Sequence, residues 1–319
     1  MTPPPSSLPR GFVPVMLTPF TDSGAVDLPG LATLTDFYLQ TGAAGLFANC
    51  LSSEMYELTG FERITITRQV VNRANGRVPV VSTGTFGGPI AVQADFVKRI
   101  YDTGVQAVIV ITSQLASPEE SDAVFLDRLH QLIDQTEGVP LGMYECPVPY
   151  KRLITPDILA DILPTGRLIY HKDTCLDLAE VNRRLTVAQG YPFGLYDAYM
   201  VNAVSSLKAG AAGLSCIQGN MYPELIVWLC NHYNDPTQQK AVKRVQQFLN
   251  STMDLVHTAY PTLAKYSLQK RGLPISLYTR RKVDRLTPDL CTRVDAMLRD
   301  LAQLEADLSI EPVLMQQPA

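Results

Sequence analysis

Lys172 lies near the end of an apolar run, LIYHKD (168–173), and its amine is the sharpest chemical feature of the chain. A lysine at the end of a buried strand is costly unless it is paired or neutral. Desolvation lowers an amine's pKa, and a neutral amine attacks a carbonyl carbon. The alternative is a rim lysine salt-bridged to Asp173 or Glu145, and position alone leaves both readings open. Tyr144 ends another run, PLGMYE (140–145). A phenol one strand away relays protons to and from a carbinolamine, or else packs as a core aromatic with a satisfied hydroxyl. Ser52 and Ser53 follow the run GLFANC (45–50). Their hydroxyls and backbone N–H groups suit a carboxylate, or else cap a helix. Asp173, Tyr196, Asp197 and Asn220 occupy matching places at or after later runs; the two aspartates bind substrate hydroxyls or hold loops in place.

The remaining reactive side chains say less. His130, His232 and His257 fall in helical patterns and read as surface or packing residues. His171 adjoins Lys172, but strand alternation points it the opposite way, towards surrounding helices. Cys50, Cys146, Cys175 and Cys216 lie near the same run ends as the polar residues, without metal-ligand spacing, so we expect free thiols and no metal site.

The elements that must carry these residues repeat as one unit: a β-rich apolar run, a polar turn, an amphipathic helix and a small-residue corner. The runs are 12–17, 45–50, 78–83, 107–112, 140–145, 168–173, 193–198 and 213–217. Most alternate poorly, as strands buried on both faces should. The helical pattern 27–42 sets Leu31, Leu34, Phe37 and Tyr38 on one face and stops at Gly42. Thr59, Ser117 and Thr155 are the expected N-caps. Eight strand–helix repeats predict a (β/α)8 TIM barrel over 11–234, with residues 235–319 as a C-terminal helical extension packed on it. Barrel sites lie at the C-terminal strand ends, where the polar residues above fall. Residues 1–10 read as a disordered Pro-rich tail.

Lys plus Arg number 27 against 31 Asp plus Glu, a net charge of −4, and 46% of residues are hydrophobic. That composition allows a large core and argues against a nucleic-acid partner. No apolar run approaches the roughly 18 residues of a membrane span, and the opening segment lacks a signal-peptide pattern, so we expect no membrane partner and a cytoplasmic enzyme.

The motifs, in order, resemble those of the dihydrodipicolinate synthase/N-acetylneuraminate lyase family of Schiff-base aldolases over roughly residues 11–300. Thr18-Pro19-Phe20 followed by Asp22 and Asp27 is similar to its first-strand signature. CLSSEMYELT (50–59) resembles its Gly-Thr-Thr-Gly-Glu loop, with Glu54 kept; MYECP (143–147) resembles Tyr-Asn-Val-Pro, and HKD (171–173) resembles Ile-Lys-Asp. The resemblance implies that Lys172 is the Schiff-base lysine and Tyr144 the proton-relay tyrosine. There are departures. Leu51 and Ser52 replace the loop's two threonines, so Ser52 keeps a hydroxyl for a carboxylate while Leu51 relays no proton. Thr112–Leu115 lacks the tyrosine that synthases extend into a neighbouring subunit. Pro149 lies near the place of the arginine that grips a distal carboxylate, beside Lys151 and Arg152.

We therefore expect a lyase or synthase in which Lys172 condenses with a pyruvate-like 2-oxo acid and Tyr144 shuttles protons. Ser52 and Ser53 hold the carboxylate, and Asp173, Tyr196, Asp197 and Asn220 face the second substrate, an aldehyde. The iminium is itself an electron sink, so no cofactor is required. The resemblance implies a homo-oligomer, a tetramer. The rivals are a 2-oxo acid dehydratase or decarboxylase using the same lysine, and a non-catalytic 2-oxo acid sensor.

Overall fold

The computed structural model describes residues 8–313. Eight parallel strands alternate with helices: β1 (Gly11–Phe12), β2 (Leu46–Phe47), β3 (Val80–Thr83), β4 (Ala107–Ile111), β5 (Leu141–Tyr144), β6 (Leu168–Asp173), β7 (Gly194–Asp197) and β8 (Gly213–Leu214). Hydrogen bonding runs β1-β8-β7-β6-β5-β4-β3-β2. A parallel bridge between Val15 and Phe47 joins the chain just after β1 to β2 and closes the ring. The expected (β/α)8 barrel is the observed fold. Between the strands lie α1 (Leu28–Gln40), α2 (Gly60–Ala74), α3 (Ile90–Tyr101), α4 (Asp122–Gln135), α5 (Pro156–Ile162), α6 (Leu178–Val187) and α7 (Ala203–Ala209). After β8 come α8 (Pro223–His232), α9 (Gln239–Ser251), α10 (Met253–His257), α11 (Thr262–Lys270) and α12 (Pro288–Asp307).

Two apolar layers follow from strands buried on both faces. Val13, Val15, Phe47, Val81, Ile109, Ile111, Tyr144, Tyr170 and Tyr196 fill the barrel interior. The outer layer lies between strands and helices and includes Leu34, Phe37, Val110, Leu129 and Leu225. Val242, Val245, Leu249, Leu268 and Leu301 of the post-barrel helices belong to that same cluster, so the extension shares the barrel's core. The small-residue corner before β8 has a steric cause: a Cβ on Gly213 would sit 1.7 Å from the Gly11 carbonyl oxygen.

Thr59 accepts from the Glu62 N–H and Glu62 reaches back, a capping box that contributes about 1 kcal/mol. Thr155 caps α5 by accepting from the Ile158 N–H, without a reciprocal side chain. The cap of α4 is Ser121; Ser117 instead precedes a turn in which its N–H donates to Glu120. Of the expected tail, residues 1–7 lie outside the described residues. Residues 8–10 are packed: Leu8 is buried, the Pro9 carbonyl accepts from the Tyr196 hydroxyl, and Arg10 donates to the Ala211 carbonyl. Among the described residues no helix is long and apolar enough to cross a membrane.

Candidate active site

Side-chain parity along β6 sorts its polar residues. Tyr170 and Lys172 point into the barrel, and His171 and Asp173 point out to the helices. Lys172 is 3% exposed. Its Nζ lies 4.3 Å from the Tyr144 ring centroid and 5.9 Å from that of Phe47. Tyr144 and Lys172 are direct partners in the β5–β6 register. Burial pushes the Lys172 ammonium pKa below its ordinary value, with the thiols of Cys50, Cys146 and Cys216 opposing. No carboxylate lies within ion-pair distance of Lys172 among the described residues, so the rim salt bridge does not form. Burial also raises the Tyr144 phenol pKa, with Cys146 next in effect, and the group stays protonated at neutral pH.

The carboxylates that a salt bridge would have used are committed elsewhere. Arg184 of α6, itself fully buried, contacts Glu145 at 2.9 Å and also pairs with Asp173. Glu145 accepts from the N–H groups of Ile154 and Thr174, and Asp173 accepts from that of Cys175. Burial acts to raise the Glu145 pKa, but His171 and Arg184 hold it low. This cluster ties the loops after β5 and β6 to the helix layer. Glu145, His171 and Asp173 stand close enough to share a metal ion, but the Arg184 guanidinium already pairs with both carboxylates.

A cavity of about 370 Å³ opens above Lys172 at the C-terminal ends of the strands. Of the residues expected from sequence, Lys172, Tyr144 and Ser52 line it. Ser53 does not: its hydroxyl donates to the Met16 carbonyl at 2.6 Å and stitches the turn to the chain after β1. Asp173 faces Arg184, as above. Asp197 also points outward; burial raises its pKa to about 7, and it accepts from the Tyr199 N–H at 2.7 Å, fixing the loop whose Ala198 and Tyr199 form cavity wall. Tyr196 points inward but leans down the barrel onto Tyr170, with centroids 4.7 Å apart, into space left by Gly194. Asn220 is buried one step behind the wall, where it accepts from Tyr38 and donates to the Val15 carbonyl and the Tyr260 hydroxyl. These five positions brace the cavity and do not face it.

What sequence reasoning missed is the roof. Met253 and His257 of α10, then Tyr260 and Arg281, come from the extension and line the cavity with Lys151. Lys151 donates to the Thr174 carbonyl at 2.7 Å. Arg152 turns away, pairing with Asp122 and donating to the Ser117 and Glu120 carbonyls. Glu54, the acid kept in the loop after β2, adopts a left-handed backbone (φ 57°) and is fully buried. Its carboxylate accepts from Lys265 Nζ at 3.1 Å and from the N–H groups of Arg280 at 2.7 Å and Arg281 at 2.8 Å. It thus clamps the extension over the barrel mouth.

A desolvated amine at a barrel strand end, in register with a phenol and opening on a cavity at the barrel mouth, is the layout of a class I, imine-forming enzyme. A family model described as the dihydrodipicolinate synthetase family matches residues 8–301, and the chain belongs to that family. Among its relatives, the 4-hydroxy-tetrahydrodipicolinate synthase of Saccharophagus degradans is 27% identical over 269 residues, covering 83% of this chain and 89% of the relative. YagE of Escherichia coli K12, named as a candidate 2-dehydro-3-deoxy-D-gluconate aldolase, is 25% identical, covering 86% and 91%. The structure of YagE in complex with pyruvate superposes with a TM-score of 0.82 at 23% identity, covering 92% of this chain and 98% of that one. A monomeric dihydrodipicolinate synthase variant superposes with a TM-score of 0.84 at 18% identity, covering 93% and 98%. The chain is accordingly a class I lyase or synthase acting on small molecules.

Proposed function

We propose that Lys172 forms the Schiff base, Tyr144 moves the protons and the Ser52 turn holds the carboxylate of pyruvate or a related 2-oxo acid. The observation that carries this is the buried Lys172 amine, with no carboxylate partner among the described residues and facing Tyr144. The neutral amine adds to the C2 carbonyl, giving a carbinolamine. Tyr144 donates its proton to the departing hydroxyl, which leaves as water, and the iminium remains on Nζ. Loss of a C3 proton gives an enamine whose carbon attacks an aldehyde; water then releases the product and restores the amine. Cleavage is the same sequence reversed. The first N–H groups of the Leu51–Ser53 turn have no acceptor within it and, with the Ser52 hydroxyl, suit the substrate carboxylate. Incubation with pyruvate and borohydride, followed by peptide mapping, should place one reduced adduct on Lys172. Adducts elsewhere, or none with any 2-oxo acid, would overturn the assignment.

We further propose a cytoplasmic homotetramer. The segment Thr112–Leu115 carries no tyrosine to extend into a neighbouring subunit, and Thr112 donates to the Arg152 carbonyl of its own chain. Sedimentation at micromolar concentration should show a tetramer, whereas a folded variant dissociated by interface substitutions should retain most of its turnover. A monomeric wild type would refute the tetramer, and inactive dissociated chains would refute the self-contained site.

A further inference from the structure

The charge of the cavity wall exceeds what a simple 2-oxo acid requires. Lys151 and Arg281 line it beside the neutral Lys172 amine, and among the described residues no aspartate or glutamate does. A single carboxylate at the Ser52 turn does not balance both Lys151 and Arg281. Lys151 is partly spent on the Thr174 carbonyl. Arg281 is not spent: its guanidinium has no hydrogen-bond or ion-pair partner among the described residues. Its neighbour gives the contrast. Arg280 pairs its guanidinium with Glu62 and donates to the Gly24 and Glu57 carbonyls. Successive arginines thus divide their work: Arg280 anchors the segment, and Arg281 presents a free planar fork to the cavity.

The segment is also held before any ligand arrives. The buried Glu54 carboxylate takes both backbone N–H groups, and Lys265 holds Glu54 from the other side. The Arg281 backbone is thus fixed at the cavity, and its guanidinium can bind a carboxylate through two parallel hydrogen bonds.

We infer that Arg281 is a specificity-determining residue that binds a second carboxylate, so that the enzyme's 2-oxo acid or aldol adduct is a dianion. This rests on the assignment of Lys172 as the imine-forming amine. It also places recognition of the distal anion on the C-terminal extension, on the opposite side of the chain's sequence from the Pro149 loop. Glu54 is the positioning residue for that contact.

Borohydride trapping at Lys172 tests the inference without knowledge of the acceptor aldehyde. The probes are pyruvate, 2-oxopentanoate and 2-oxoglutarate; the last two share a five-carbon chain and differ in the second carboxylate. Wild type should be half-labelled at a 2-oxoglutarate concentration at least about tenfold below that for 2-oxopentanoate. Arg281→Ala should erase that preference, and Arg281→Lys should restore part of it. Equal labelling of the wild type by the two, a preference that survives Arg281→Ala, or labelling by pyruvate alone would each overturn the role of Arg281. Failure of pyruvate itself to label wild-type Lys172 would instead overturn the Schiff-base assignment beneath it.

Discussion

Lys172→Met should lose turnover by at least about 10⁴-fold and accept no reducible adduct, while the protein folds as well as before or better. The loss follows from the chemistry: among the described residues the other amine lining the cavity is that of Lys151, which donates to the Thr174 carbonyl. The stability claim follows from the environment. Methionine fills nearly the same volume, and there is no paired carboxylate to be orphaned, so the substitution removes a desolvation cost and creates no buried charge. The pH dependence has a definite sign. Burial puts the folded pKa of Lys172 below its unfolded value, so the folded state binds the proton more weakly. Wild-type stability therefore falls as pH drops below the ordinary lysine pKa, until the folded value is passed. The thermal gain of Lys172→Met should grow over that same fall in pH. For the same reason imine formation in the wild type should persist at pH values where free lysine is almost wholly protonated. A variant that is inactive because it is unfolded, or a labelling rate that tracks free lysine, would contradict this account.

The barrel was legible because eight buried strands leave eight apolar runs, and Lys172 was legible because it interrupts one. Parity reached further than it was taken. The alternation that turns His171 outward also turns Asp173 outward, and on β7 it turns Asp197 outward behind Tyr196, so both aspartates hold loops. Depth is a different matter. Tyr196 faces inward, but only packing decides whether a ring leans up to the mouth or down to Pro9, and Gly194 leaves room below. The roof was hidden for a topological reason. Tyr260 and Arg281 lie far along the chain from any strand end; Arg281 reaches the cavity through a buried clamp on Glu54 and Tyr260 through its hydrogen bond with Asn220, which no periodicity encodes. The adjacent arginines 280 and 281, in a segment without helical pattern, were the available signal.

Tyr144→Phe should lower kcat by roughly 10²-fold or more, yet change the pyruvate concentration for half-labelling of Lys172 by less than about threefold. The ring has two separable duties. It packs edge-to-face on Phe47, with centroids 6.0 Å apart, and it covers Nζ; phenylalanine preserves both contacts. The hydroxyl alone is lost. Burial keeps the phenol protonated, so it arrives as a donor for the carbinolamine hydroxyl and must recover a proton each cycle. The chain has no hydroxyl at position 51 to pass that proton on, because Leu51 stands in the cavity wall. A reaction that already lacks one relay member depends more heavily on the other. The cost should therefore fall on proton transfer in the transition state, and ground-state binding should be little affected. Single-turnover measurements would separate the steps: imine formation and carbon–carbon bond making should both slow, and product release should not. A kcat within about twofold of wild type would return Tyr144 to a packing role and require another proton donor at the cavity wall, with the hydroxyls of Ser52 and Tyr260 the groups to examine next.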